Sequence, residues 1–107
     1  MTSLSEAKIT EDPPLLRDEA LRQALAELPL WDLTADGRAI CREWRFKTFR
    51  RAAALVNLAA WQAEAGGHHP EIAFGWGHAS ITYTTHSAGG VTMNDLIMAA
   101  RLDAASA

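Results

Sequence analysis

The chain has 107 residues, a net charge of -3 and one cysteine, with 49% hydrophobic and 21% charged residues. These values fit one ordered domain with a single core and exclude a disordered chain. The acidic balance leaves no basic footprint for nucleic acid or an anionic membrane surface. The lone Cys41 excludes an internal disulfide framework and fits a reducing, cytoplasmic location, and no apolar run reaches the length of a membrane span.

Residues 1–14 are small, polar and without a sustained period, and they end in Pro13-Pro14. A flexible leader is expected there, with a single domain over 15–107. Leu15 to Glu27 then carries Leu15, Leu21, Ala24 and Leu25 at helical spacing, with the prolines just ahead and Pro29 closing the element. Leu30 to Thr34 reads as a short strand and Ala35-Asp36-Gly37 as a hairpin turn. The next run alternates: Ile40, Trp44 and Phe46 share one face, and Cys41, Glu43, Arg45 and Lys47 the other. Arg42 interrupts the apolar face and is expected at an edge or rim.

At Thr48 the period changes to that of a helix. Phe49, Ala52, Ala53, Val56, Ala59, Ala60 and Ala63 form an apolar stripe, and Trp61 at its margin is expected in the core. Thr48 can cap the start, and Gly66-Gly67 offers the left-handed residue that ends a helix. Glu71 to Phe74 is a short strand candidate and Gly75-Trp76-Gly77 a turn. His78 to Thr85 alternates again, with Ile81 and Tyr83 towards the core and His78, Ser80, Thr82, Thr84 and His86 on the opposite face. Ser87 to Gly90 is a loop. Thr92-Met93-Asn94-Asp95 opens a last helix in a capping-box pattern, with Leu96, Ala99, Ala100 and Leu102 on its buried side.

The order is α-β-β-α-β-β-α. An α+β two-layer sandwich is expected, with a four-stranded antiparallel sheet and the helices packed on one face. An edge strand or the open face could pair with a second copy.

Three of the four histidines fall at places where chemistry is plausible: His68 and His69 just after a helix end, and His86 at the end of a strand. Imidazoles titrate near neutrality and serve as acid or base with little penalty. Three imidazoles would also suit zinc, but adjacent histidines lack the usual helical pair spacing and no cysteine cluster supports them.

Glu64-x-x-x-His68-His69-Pro70, then Trp76, His86 and Asp95 at spacings of five, nine and eight residues, resembles the signature of the pterin-4a-carbinolamine dehydratase family. Trp31, Asp36-Gly37-Arg38-Ala39-Ile40, Phe46-x-x-Phe49 and Gly89-Gly90 extend the likeness over most of the chain. The resemblance implies a hydro-lyase that removes water from 4a-hydroxytetrahydropterin to give quinonoid dihydropterin, recycling the pterin of aromatic amino acid hydroxylases. It implies His68, His69 and His86 as catalytic imidazoles, with His68 leading, and needs neither metal nor other cofactor. Glu64, Pro70, Trp76 and Asp95 would serve the pterin site. Asp95 is equally explained as a helix cap, Glu64 as a solvated helix-end charge and Trp76 as the anchor of its turn. A homo-oligomer, dimer or tetramer, is expected. The alternative is a non-catalytic pterin- or protein-binding module, since animal members of the family also act as dimerisation cofactors of a transcription factor. Two departures stand out. Gly67 occupies a position where many members carry an acid, and Glu71-Ile72-Ala73 lacks their aromatic residue.

Overall fold

The computed structural model describes residues 3–107. Its elements are α1 (Asp18–Leu25), β1 (Asp32–Leu33), β2 (Ile40–Arg45), α2 (Phe49–Gly66), β3 (Glu71–Gly75), β4 (His78–Tyr83) and α3 (Met93–Ser106), with single 3-10 turns at Leu4–Glu6 and His86–Ala88. The strands form one antiparallel sheet in the order β1-β2-β4-β3, and the helices cover one face. This is the α+β two-layer sandwich that the sequence predicts.

The alternation in β2 and β4 sets the faces. Ile40 stands opposite Tyr83, Arg42 opposite Ile81 and Trp44 opposite Ala79, all towards the helices. Ile40, Ile81 and Tyr83 are fully buried there against Leu55 and Ala59 of α2 and Leu96, Met98 and Leu102 of α3. Arg42 lies on this apolar face, and α3 compensates for its charge. Its guanidinium donates to Asp103 at 2.5 Å and lies 4.2 Å over the Trp44 ring. The indole N–H of Trp31 donates to both oxygens of the same carboxylate at 3.0 Å. Arg42 is thus half-buried and paired, in the body of the sheet rather than at a rim.

Local signals mark most element ends. Asp36 accepts the Arg38 N–H at 3.0 Å and the Thr34 hydroxyl at 2.7 Å. Those two bonds hold its carboxyl below the usual carboxylate range, the backbone bond first. Thr48 caps α2 by accepting the Arg51 N–H at 3.1 Å, and Gly67 ends the helix in the left-handed region at φ 67°.

Three local expectations are corrected. The buried stripe of α2 runs through Ala52, Leu55, Ala59 and Ala63, leaving Phe49 and Ala60 exposed. Trp61 is 77% exposed and lies outside the core, because its position on the helix faces away from the sheet. Helix α1 begins at Asp18, since Leu16 is held extended by its N–H bond to Val91 O at 2.9 Å. Ahead of α1, Leu4 and Ile9 lie against the core, and Arg101 donates to Ala7 O at 2.8 Å. Met1 and Thr2 lie outside the described residues.

Removing the Asp103 carboxylate strands both a guanidinium and an indole N–H in half-buried surroundings. Asp103→Ala is expected to cost about 2 kcal/mol, roughly 10 °C of melting temperature in a domain of this size, measured by thermal unfolding.

Candidate active site

The loop between α2 and β3 carries His68, His69 and Pro70. The chain after β4 carries Thr85 and His86, and the first turn of α3 carries Asp95. Because β3 and β4 are antiparallel, with Glu71 opposite Thr82, the start of β3 and the end of β4 lie at the same end of the sheet. That geometry brings the loop, the 3-10 turn and the helix start together.

Asp95 is the centre. Its side chain is fully buried. One oxygen accepts the Thr85 hydroxyl at 2.8 Å and the Thr92 backbone N–H at 2.9 Å, the latter closing the capping box of α3. The other oxygen is 2.5 Å from His68 Nε2. A carboxylate oxygen offers lone pairs only, so Nε2 carries the proton of this bond and Nδ1 is the ring nitrogen left for other chemistry. Asp95 is therefore both the helix cap and the partner of a histidine.

The His68 side chain is only 14% exposed. Its ring lies parallel to that of Tyr83, at 12° with centroids 6.3 Å apart. Behind Tyr83 stands Trp31, with centroids 5.7 Å apart. The Tyr83 hydroxyl is buried and has no hydrogen-bond partner among the described residues. Burial, then the nearby Asp95 and Asp103, push its ionisation far above the usual tyrosine range. Sequence alternation finds Tyr83 only as a core residue; nothing in the pattern announces its contact with His68.

His69 points elsewhere. Its Nε2 is 2.8 Å from Glu64 Oε1, and both side chains are exposed. By the same lone-pair argument Glu64 holds the His69 Nε2–H. His86 opens the 3-10 turn, which the Thr85–Gly90 pair closes through bonds of 2.9 and 3.3 Å. It is exposed and lines an open cleft of about 640 Å³ together with Arg38, Glu71, Thr82 and Thr84. Its neighbour Thr85 bonds Asp95, so one hydroxyl and one carboxylate connect the His86 turn to His68.

Pro70 starts the turn into β3 and is half-buried. Trp76 is not brought to this cluster. It sits in the β3–β4 turn at the other end of a five-residue strand, about 15 Å away at ~3.3 Å per residue, and is 72% exposed. Among the described residues no three His, Cys, Asp or Glu side chains converge as a metal set.

A family model described as Pterin 4 alpha carbinolamine dehydratase matches residues 14–105. A relative from Paracoccus denitrificans, provisionally named a pterin-4-alpha-carbinolamine dehydratase, is 66% identical over 106 residues, 99% of each chain. Another from Aromatoleum aromaticum, with the same provisional name, is 46% identical over 91 residues, covering 85% of this chain and 80% of its own. The crystal structure of a transcriptional coactivator/pterin dehydratase from Brucella melitensis superposes with a TM-score of 0.76 at 34% identity, over 94% of this chain and all of that one.

Tyr83 is the only tyrosine in the sequence, so phenolate absorbance reports it alone. Its ionisation is raised in the folded state, so the protonated ring is favoured by folding. Stability from this group is complete below the ordinary tyrosine value of about 10 and declines as pH rises above it. In an alkaline titration the phenolate band is expected to appear together with loss of the folded circular dichroism, not as a separate earlier step.

Proposed function

The chain belongs to the pterin-4a-carbinolamine dehydratase family, and from that membership we propose that it dehydrates 4a-hydroxytetrahydropterin by histidine general acid–base catalysis. The observation that carries this reading is the His68–Asp95 pair, a nearly enclosed imidazole oriented by a fully buried carboxylate that Thr85 ties to the His86 turn.

The reaction breaks the C4a–O bond and removes a ring N–H proton. Water leaves, and the product is the quinonoid dihydropterin. Hydroxide is a poor leaving group, so a general acid protonates the 4a oxygen as the bond breaks, while a base takes the nitrogen proton. With Nε2 engaged by Asp95, His68 works through Nδ1 and is the leading acid or base. His86, on the turn that Thr85 ties to Asp95, is assigned as its partner. His69, oriented by Glu64 and exposed, binds or orients the pterin, and Pro70 sets the turn that presents both histidines. Atoms and charge balance within the substrate and these imidazoles, without a cofactor. Gly67 places no acid directly before the pair, and Asp95 and Glu64 are the carboxylates on these two rings.

In a cell this activity would recycle the pterin released by an aromatic amino acid hydroxylase. A cytoplasmic setting agrees with a free Cys41 and with the absence, among the described residues, of any helix long and apolar enough to cross a membrane. The net charge of -3 disfavours nucleic acid. The Brucella melitensis protein carries a name that joins coactivator to dehydratase, which favours one second reading: a protein-binding module in which turnover is absent or incidental.

Self-association belongs to the same proposal. Edge strand β3 exposes Ile72 and Phe74, and Phe74 meets the exposed Phe49 of α2 with ring centroids 5.5 Å apart. An unprotected apolar edge of this kind suits a second copy of the chain. Phe74→Glu is expected to shift the particle to a smaller species in light scattering after size exclusion, with the fold kept by circular dichroism.

The decisive enzymology is water loss from enzymatically generated 4a-hydroxytetrahydropterin, followed by ultraviolet absorbance. His68→Ala is expected to lower kcat about 100-fold or more, His86→Ala about tenfold or more, and His69→Ala to act mainly on KM. Pterin binding without turnover by the wild-type chain would favour the binding-module reading. Equal losses for the three variants at unchanged binding would overturn the ranking.

A further inference from the structure

We propose that Asn94 is a positioning residue for the candidate site, acting through an N-terminal strap that holds the first turn of α3 so that Asp95 meets His68. The inference rests on the reading of His68 as an acid–base group, and it assigns a role to a segment outside the family match, which begins at residue 14.

Asn94 is 5% exposed and immediately precedes Asp95. Its amide oxygen accepts the Thr10 N–H at 3.1 Å and its amide nitrogen donates to Thr10 O at 2.9 Å. A side-chain amide thus takes both hydrogen bonds of one main-chain residue, as a neighbouring strand would. Polar groups this buried are costly to leave unpaired, so the pairing fixes strap and helix turn relative to each other. The strap has further anchors on the same stretch of chain. Leu16 N–H donates to Val91 O at 2.9 Å, and the Leu15 side chain fills the space that a Cβ on Gly90 would take, 2.8 Å from it. Arg101, almost two turns along α3, holds Ala7 O at 2.8 Å.

These anchors bracket the residues that hold Asp95. Gly90 pairs with Thr85, Thr92 donates its N–H to Asp95, and Thr85 donates its hydroxyl to the same carboxylate. Geometry near 2.5 Å between a carboxylate and an imidazole is sensitive to small shifts of the helix start, and a displacement of about 1 Å can change turnover up to ~100-fold. The Asn94 clasp removes that freedom from the side of α3 remote in sequence from both histidines.

The test compares Asn94→Ala with Arg101→Ala in the full chain. Both loosen the strap, but only Asn94 adjoins Asp95. Arg101→Ala is expected to lower the melting temperature with kcat unchanged. Asn94→Ala is expected to lower kcat about tenfold with KM within about twofold of wild type. In long-range proton–nitrogen spectra of the labelled protein, its His68 ring is expected to move from the Nε2–H tautomer towards a mixture. Asn94→Ser, which keeps one hydrogen-bonding group, carries the same expectation at smaller size if the alanine variant does not fold. Loss of melting temperature alone, with kcat and the His68 tautomer unchanged, overturns the proposal. The spectra remain readable if the wild-type chain proves inactive, so failure of the dehydratase reading is distinguishable from failure of this one.

Discussion

A fully buried carboxylate must find donors or destabilise the fold, and Asp95 finds them in three separate stretches of chain. The helix supplies the Thr92 N–H, the end of β4 supplies the Thr85 hydroxyl, and the loop after α2 supplies His68. Satisfying one side chain therefore closes the angle between sheet and helix at this end of the domain. The same constraint fixes which nitrogen of His68 is free. In this protein the stability requirement and the geometry of the candidate site are one set of hydrogen bonds.

The two adjacent histidines divide as a consequence. Consecutive residues in an extended loop point apart, so only one can enter the space beside Asp95. His68 turns inward onto Tyr83, and His69 turns outward to Glu64. The inward ring lies on a buried aromatic run, Tyr83 then Trp31, whose far end is pinned by Asp103 and Arg42. Packing on one side and a carboxylate on the other hold an imidazole more firmly than either does alone. The separate cleft that His86 lines is open, with Arg38, Glu71, Thr82 and Thr84 offering donors and acceptors along its rim.

Much of this was legible in the sequence because the signals were local. The Thr92–Asp95 capping box, the Gly67 helix end, the Asp36-Gly37 turn and the alternation of β2 and β4 each depend on a few neighbouring residues, and each stands in the structure as read. What escaped depends on partners far away in the chain. Arg42 is 61 residues from Asp103, so its pairing has no local trace. In α2 the stripe is mostly alanine, and small side chains on several faces leave its phase weakly specified; Leu55 turned inward and Trp61 outward. The strap's two large apolar residues, Leu4 and Ile9, have no period, so their packing could not be foreseen. Of the residues singled out for the site, the structure pairs His68 with Asp95, turns His69 out to Glu64, and carries Trp76 along β3 to the opposite end.

A double-mutant cycle tests most directly whether His68 and Asp95 work as one unit. It measures kcat for dehydration in His68→Gln, Asp95→Asn and the pair, with each variant shown to fold. Strong non-additivity is expected: once His68 is gone, the Asp95 change costs almost nothing more. Losses that simply multiply would contradict a single unit, for then the buried carboxylate acts on the fold or on the pterin independently of the imidazole it holds.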